Sequence, residues 1–129
     1  MVDYRSLVGL QWEYGKQDCY TLVRQYYELI GVKLPDFPRP EDLGTTNSIF
    51  LRYAKSLKFE PVELGDRQKS DLLVMRLGTR TPMHGAIYVG DDKILHQRVD
   101  SISAVEPLRQ YYRKRIAAVF RHATCHAGR

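Results

Sequence analysis

The sequence has no apolar run approaching the roughly 20 residues that a membrane-spanning helix needs, so no transmembrane segment is expected and membrane insertion is not a predicted mode of action. Its first residues, Met1 to Ser6, lack the apolar stretch and small-residue cleavage site of a secretory signal, and the expectation is synthesis in the cytoplasm without that export route. Cysteine is scarce. The 2 that occur, Cys19 and Cys125, lie far apart in unlike surroundings, which excludes a disulfide framework. No repeat or low-complexity stretch interrupts the chain, which argues against a solenoid or a disordered linker. Basic residues are scattered, with Arg109, Arg113, Lys114 and Arg115 as the densest group. No run of Lys and Arg interleaved with aromatics is present, so nucleic acid is not an expected partner.

What remains is the composition of one globular domain. The chain has 129 residues, 43% hydrophobic and 27% charged, enough for a single core. The formal net charge of +5 favours attraction to carboxylate-rich or other anionic surfaces without choosing among them.

The clearest element runs from Asp18 to Gly31. Asp18 is a good N-cap, Gly31 a good terminator, and Cys19, Leu22, Val23, Tyr26 and Ile30 recur at helical spacing between them. A loop rich in proline follows from Leu34 to Pro40, and a second helix is expected from about Asn47 to Leu57. The period then shortens: Asp71 to Leu77, His84 to Val89, Lys93 to Val99, Ser101 to Val105 and Ile116 to Arg121 have the character of short strands. Gly90, Asp91 and Asp92 supply a hairpin turn, and a short helix is expected between Pro107 and Arg113. Helices first and strands afterwards predict an α+β fold with the N-terminal helices packed on one face of an antiparallel sheet. Residues 1–121 form the expected domain, and 122–129, which lose the apolar period, the expected frayed tail.

The chemistry-bearing residues fall at the starts of these elements. Cys19 sits in the first turn of a helix, where the partial positive charge of the helix end lowers a thiol's pKa, whereas the neighbouring Asp18 opposes that effect. A histidine is therefore needed. His84 begins a strand on whose one face His84, Ala86 and Tyr88 alternate, and the turn after Val89 can fold His96 back beside it. His84 can take the thiol proton while His96 holds the other ring nitrogen. The result is an activated thiol that reacts below the pH of ordinary cysteine. Each of the three also has a structural reading, as a packed thiol or a hydrogen-bonded histidine. Zinc needs three or four organised protein ligands, which neither this group nor His122, Cys125 and His126 in the tail supplies, so no metal or other cofactor is expected.

The run Trp12-Glu13-Tyr14-Gly15-Lys16-Gln17-Asp18-Cys19 followed by a helix resembles the nucleophile segment of the NlpC family of papain-like peptidoglycan endopeptidases. Ser70 to Met75 resembles that family's first long strand, His84 to Gly90 its histidine strand, and Ile94-Leu95-His96 its third catalytic position. Within the family, Asp18-Cys19-Tyr20 and Leu22-Val23-Arg24 are most similar to the peptidase modules of tail-tip proteins from long-tailed bacteriophages. The resemblance implies a Cys19-His84-His96 triad that hydrolyses peptide bonds of the peptidoglycan stem. It also implies phage tail-tip proteins as partners and a place in the virion tail, acting in the periplasm. Trp12, Tyr14 and Asp18 are the implied substrate-binding or oxyanion candidates, with the Cys19 backbone N–H as first oxyanion donor. A catalytically silent assembly module and an amidase or acyltransferase are the alternatives on the same scaffold.

Overall fold

The computed structural model describes residues 2–39 and 48–126. Pro40, the expected helix start at Asn47, and residues 127–129 of the expected tail lie outside the described residues.

Helix α1 (Cys19–Leu29) begins where the sequence places it, because the Asp18 side chain accepts the Thr21 N–H at 3.0 Å. It ends at a paired-hydrogen-bond C-cap: Val32 N–H donates to Tyr27 O, Gly31 N–H donates to Glu28 O, and Gly31 takes the left-handed φ of +85° that this geometry requires. Its buried face holds Tyr20, Thr21, Leu22, Val23, Tyr26 and Tyr27, wider than the expected stripe. Helix α2 (Ile49–Tyr53), capped by Ser48, is shorter than the expected helix and ends in turns before Lys58.

Six strands form one antiparallel sheet: β1 (Phe59–Pro61), β2 (Leu72–Met75), β3 (His84–Gly90), β4 (Lys93–His96), β5 (Ala104–Pro107) and β6 (Ile116–His122). Their order across the sheet is β1-β6-β2-β3-β4-β5. Asp91 and Asp92, with φ of 52° and 57°, make the two-residue turn of the β3–β4 hairpin, whose twist matches that of its strands. Strand alternation then divides the core. Leu72, Val74 and Ile87 pack with α1 and with Phe50 of α2, while Leu73, Met75, Ala86, Tyr88 and Ile94 pack with Leu108 and Tyr112 on the other face. Both N-terminal helices thus share one face, as expected, and the one-turn α3 (Gln110–Arg113) covers the second. Gly85 permits the close approach of α2, since a Cβ there would lie 2.5 Å from the Phe50 ring.

The C-terminal segment departs from the expected frayed tail. His122 completes β6 opposite Phe59, and Ala123–His126 forms a single helical turn, α4, in which Cys125 is buried. The His122 ring meets Phe59 edge-on, with centroids 5.0 Å apart, and the Ala123 N–H donates to Lys58 O. One inward side chain in a single turn leaves no period for a sequence pattern to show, which is why the segment resembles a tail. A chain ending at Arg121 is expected to lose about 2–4 kcal/mol, the scale of removing buried side chains from a packed core. Urea unfolding of the truncated and full chains checks this, and equal midpoints would return the segment to the status of a tail.

Candidate functional site

The segment before α1 is anchored from both sides. Ser103 binds the backbone of Leu7 and Leu10, and Gln97 Nε2 donates to Leu10 O at 2.7 Å. A tight turn from Glu13 to Gln17, with Gly15 at φ +80°, then delivers the chain to Asp18. Gln17 donates to Gln97 at 3.0 Å, tying the residue two before the nucleophile to the one after His96.

Asp18 is buried and its carboxylate is fully engaged. Oδ1 accepts from Thr21 N–H and Arg39 Nη2, and Oδ2 from Gly15 N–H and Arg39 Nε, the last at 2.7 Å. Burial alone would raise this carboxyl, but Arg39 and the two amides hold it below its ordinary range. Asp18 is therefore a cap and a charge partner, and it also borders the cleft over Cys19. Arg39, absent from the sequence-derived site, offsets part of the charge that opposes a thiolate at Cys19. It was hidden in the proline-rich loop, 21 residues from its partner.

The Cys19 sulfur meets the main chain of β3 at the residues flanking His84. Its S–H donates to Met83 O at 3.4 Å, and the Gly85 N–H points at the sulfur from the other side. This edge of β3 is open because the pairing with β4 ends at Ala86 and His96. Cys19 is thus held against the backbone at the end of the strand that His84 begins, although α1 packs on the face opposite the two histidines. His84 Nε2 lies 2.9 Å from His96 Nδ1, and His96 Nε2 lies 2.6 Å from Glu106 Oε2. Tyr112 also donates to Glu106 Oε2, at 3.1 Å. Of the three expected catalytic residues, His84 and His96 are hydrogen-bonded to each other, and Cys19 and His84 border one cleft. Glu106 extends them, and no sequence signal marked it.

A cleft opens at the Cys19 and His84 end of this line, bordered also by Trp12, Tyr14, Phe50 and Val99. Trp12 and Tyr14 stack with ring centroids 6.2 Å apart, which places these two of the three substrate-binding or oxyanion candidates side by side.

Burial dominates the electrostatics. It pushes the Cys19 thiol up to about 11, against the Gly85 and Tyr20 amides and Arg39, which pull the other way. It pushes His84 down to about 3, helped by His96 and Arg98. Burial therefore works against the expected activation of the half-buried thiol, favouring the protonated sulfur and neutral imidazoles. The sign of the stability effect follows. Between about pH 6.5 and 3 the unfolded chain binds a proton at His84 that the folded one refuses, so stability falls as pH falls. For this group the loss from pH 7 to 5 is about 2 kcal/mol, with His96 acting in the same direction. Urea unfolding at the two pH values measures it, and a flat profile would contradict neutral burial of His84.

Comparison with known proteins supplies the family. Residues 9–121 match the NlpC/P60 family. The chain is 33% identical over 123 residues to the tail tip assembly protein K of Escherichia phage lambda, covering 95% of this chain and 62% of that protein, so it spans about three-fifths of the relative's length. Among solved structures it is similar to a lipoprotein-like NLP/P60 family protein from Staphylococcus aureus subsp. aureus Mu50, with a TM-score of 0.65, 19% identity, and coverage of 90% of this chain and 37% of that one. An NlpC/P60 family protein from Bacillus cereus ATCC 10987 aligns with a TM-score of 0.63 and 20% identity over 90% of this chain and 36% of the other. These structural likenesses extend the agreement to the fold, and with the match over residues 9–121 they make this chain a member of the NlpC/P60 family.

Proposed function

We propose that the domain is a cysteine peptidase of a phage tail tip that hydrolyses peptide bonds in the peptidoglycan stem, with Cys19 as nucleophile, His84 as base and His96 as the residue that orients the base. The observation carrying this reading is the hydrogen-bonded line from His84 to His96 beside a cysteine whose sulfur lies against the backbone on both sides of His84. Family membership favours the reaction class, and the name of the lambda relative favours the tail and its tip proteins as the setting. The virion tail, with action in the periplasm, is the corresponding location.

The proton arrangement supports the roles. Glu106 is an acceptor and is held below the ordinary carboxyl range despite burial, chiefly by its hydrogen bond to His96. His96 Nε2 therefore carries the proton donated to it, and a neutral His96 has a bare Nδ1. That nitrogen accepts from His84 Nε2–H. His84 Nδ1 is left with its lone pair, ready for the thiol proton.

In the proposed reaction a stem peptide enters the cleft, and the thiol proton leaves its bond to Met83 O for His84 Nδ1. The sulfur attacks the scissile carbonyl, and the oxyanion forms near the first-turn amide of Cys19, which has no carbonyl partner within the helix. The C–N bond breaks, the leaving amine takes the proton from His84, and a thioester remains. Water, deprotonated by the same histidine, then releases the carboxylic acid and restores the thiol.

The protonated, inward-bonded thiol specifically favours a second reading, a catalytically silent assembly module, since a packed cysteine needs no base. Mass spectrometry of purified peptidoglycan after incubation separates the two. The peptidase yields new stem-peptide fragments, Cys19→Ala and His84→Ala yield none, and His96→Ala retains on the order of 1% of the rate. Intact wall with the native protein would leave the assembly reading, and fragments from Cys19→Ala would remove Cys19 as nucleophile. In the absence of substrate, Cys19 alkylation by iodoacetamide should be slower at pH 7 than that of a free thiol and should keep rising toward about pH 11. A plateau near pH 7 would show a thiolate that this geometry does not hold.

A further inference from the structure

We propose that Glu106 is a positioning residue that sets the tautomer of both histidines, and so decides which nitrogen of His84 faces the nucleophile. The inference rests on the peptidase reading for its rate effect but not for its proton arrangement.

Glu106 lies on β5, opposite Ile94 and on the same sheet face as His96. Every group around its carboxylate is a donor. Oε2 meets His96 Nε2 at 2.6 Å and Tyr112 OH at 3.1 Å, with Arg98 Nε at 3.7 Å, and Oε1 meets Arg109 Nη2 at 3.1 Å. These and His84 are the titratable and charged groups facing His96: one from β3, one from β5, one from α3, and two arginines from the segments flanking β5. The two guanidiniums favour the charged carboxylate, and a carboxylate can only accept. His96 Nε2 must then donate. The consequence passes along the chain, because a neutral imidazole with Nε2–H has an accepting Nδ1, and the only pairing this permits at 2.9 Å is donation from His84 Nε2.

Removing the acceptor inverts the chain. With Glu106 replaced by leucine, His96 Nε2 loses its carboxylate acceptor, and the Tyr112 hydroxyl, which converges on the same oxygen as His96 and whose ring lies edge-on to it, is released to donate to that nitrogen. His96 would then carry its proton on Nδ1 and donate to His84 Nε2. That places the His84 proton on Nδ1, where it blocks acceptance from Cys19. If Glu106 merely filled space at this position, its replacement by leucine, which fills it comparably, would have no such effect.

The direct test is long-range proton–nitrogen correlation NMR of the imidazoles at pH 7 in the full chain, combined with cleavage kinetics. The native protein should show Nε2–H and bare Nδ1 on both histidines, and Nδ1–H on His84 would overturn the proposal without any variant. Glu106→Leu should move the His84 proton to Nδ1 and lower kcat for wall cleavage by roughly a hundredfold with KM unchanged, the scale of losing a general base. Glu106→Gln, which keeps an accepting oxygen, should retain the native tautomers and lie within about tenfold of native kcat, so it serves as the rescue. A Glu106→Leu protein that keeps His84 Nε2–H overturns the proposal. If the native protein shows the stated tautomers but cleaves no wall, the peptidase reading fails while the role of Glu106 in the proton arrangement stands.

Discussion

The carboxylate of Asp18 is the point on which the helix, the loop before it and the nucleophile all depend. Its two oxygens satisfy an amide of α1 and an amide of the preceding turn, so one side chain fixes both the start of the helix and the path of the chain into it. Such a cap contributes about 1 kcal/mol to a helix. Its charge would cost more than that in a buried position without a partner. Arg39 resolves this by binding the carboxylate in a forked geometry, itself held by Asp36 and Thr21 and lying over the Tyr20 ring. The pair gives α1 a charge-compensated cap, in which Arg39 offsets part of the opposition that Asp18 offers to a thiolate at Cys19.

With α1 placed, the rest of the site is a consequence of where β4 stops. An edge strand leaves alternate amides and carbonyls unpaired, and buried ones need partners. At the open end of β3 that partner is the Cys19 sulfur, which receives the Gly85 amide and donates to the Met83 carbonyl. The same ending leaves His96 as the last residue of β4, diagonal to His84, so the two rings meet with centroids 5.1 Å apart. Gln97, the next residue, bridges to Gln17 and Leu10 and closes the loop back onto the nucleophile segment.

Local signals carried most of what the sequence could show. The Asp18 cap, the Gly31 stop and the Asp91-Asp92 turn act through neighbouring residues, and each stands where the pattern put it. The meeting of His84 and His96 followed from a hairpin, also local. Arg39 and Glu106 were not legible because their roles come from contacts across the fold: Arg39 reaches back over α1, and Glu106 depends on β5 lying beside β4 in one register. The expected strand from Ser101 to Val105 stops one residue short of Glu106. Strand β1 was missed for a different reason, being three residues long and ending in Pro61, too short for alternation to register.

Burial and the expected activation of Cys19 pull in opposite directions. Helix position, the Gly85 and Tyr20 amides and Arg39 all favour thiolate, yet burial outweighs them together. Burial disfavours a charged His84 as well, so the neutral forms of both groups are favoured for one reason. A site built this way forms its ion pair only against a desolvation cost, and the groups able to offset that cost are already in place at both ends. Amides face the sulfur, and the Glu106 carboxylate stands behind His96, where it stabilises positive charge passed along the two rings. The low dielectric that suppresses the ion pair at rest also strengthens each of these contacts once charge develops, because their geometry needs no rearrangement when it does.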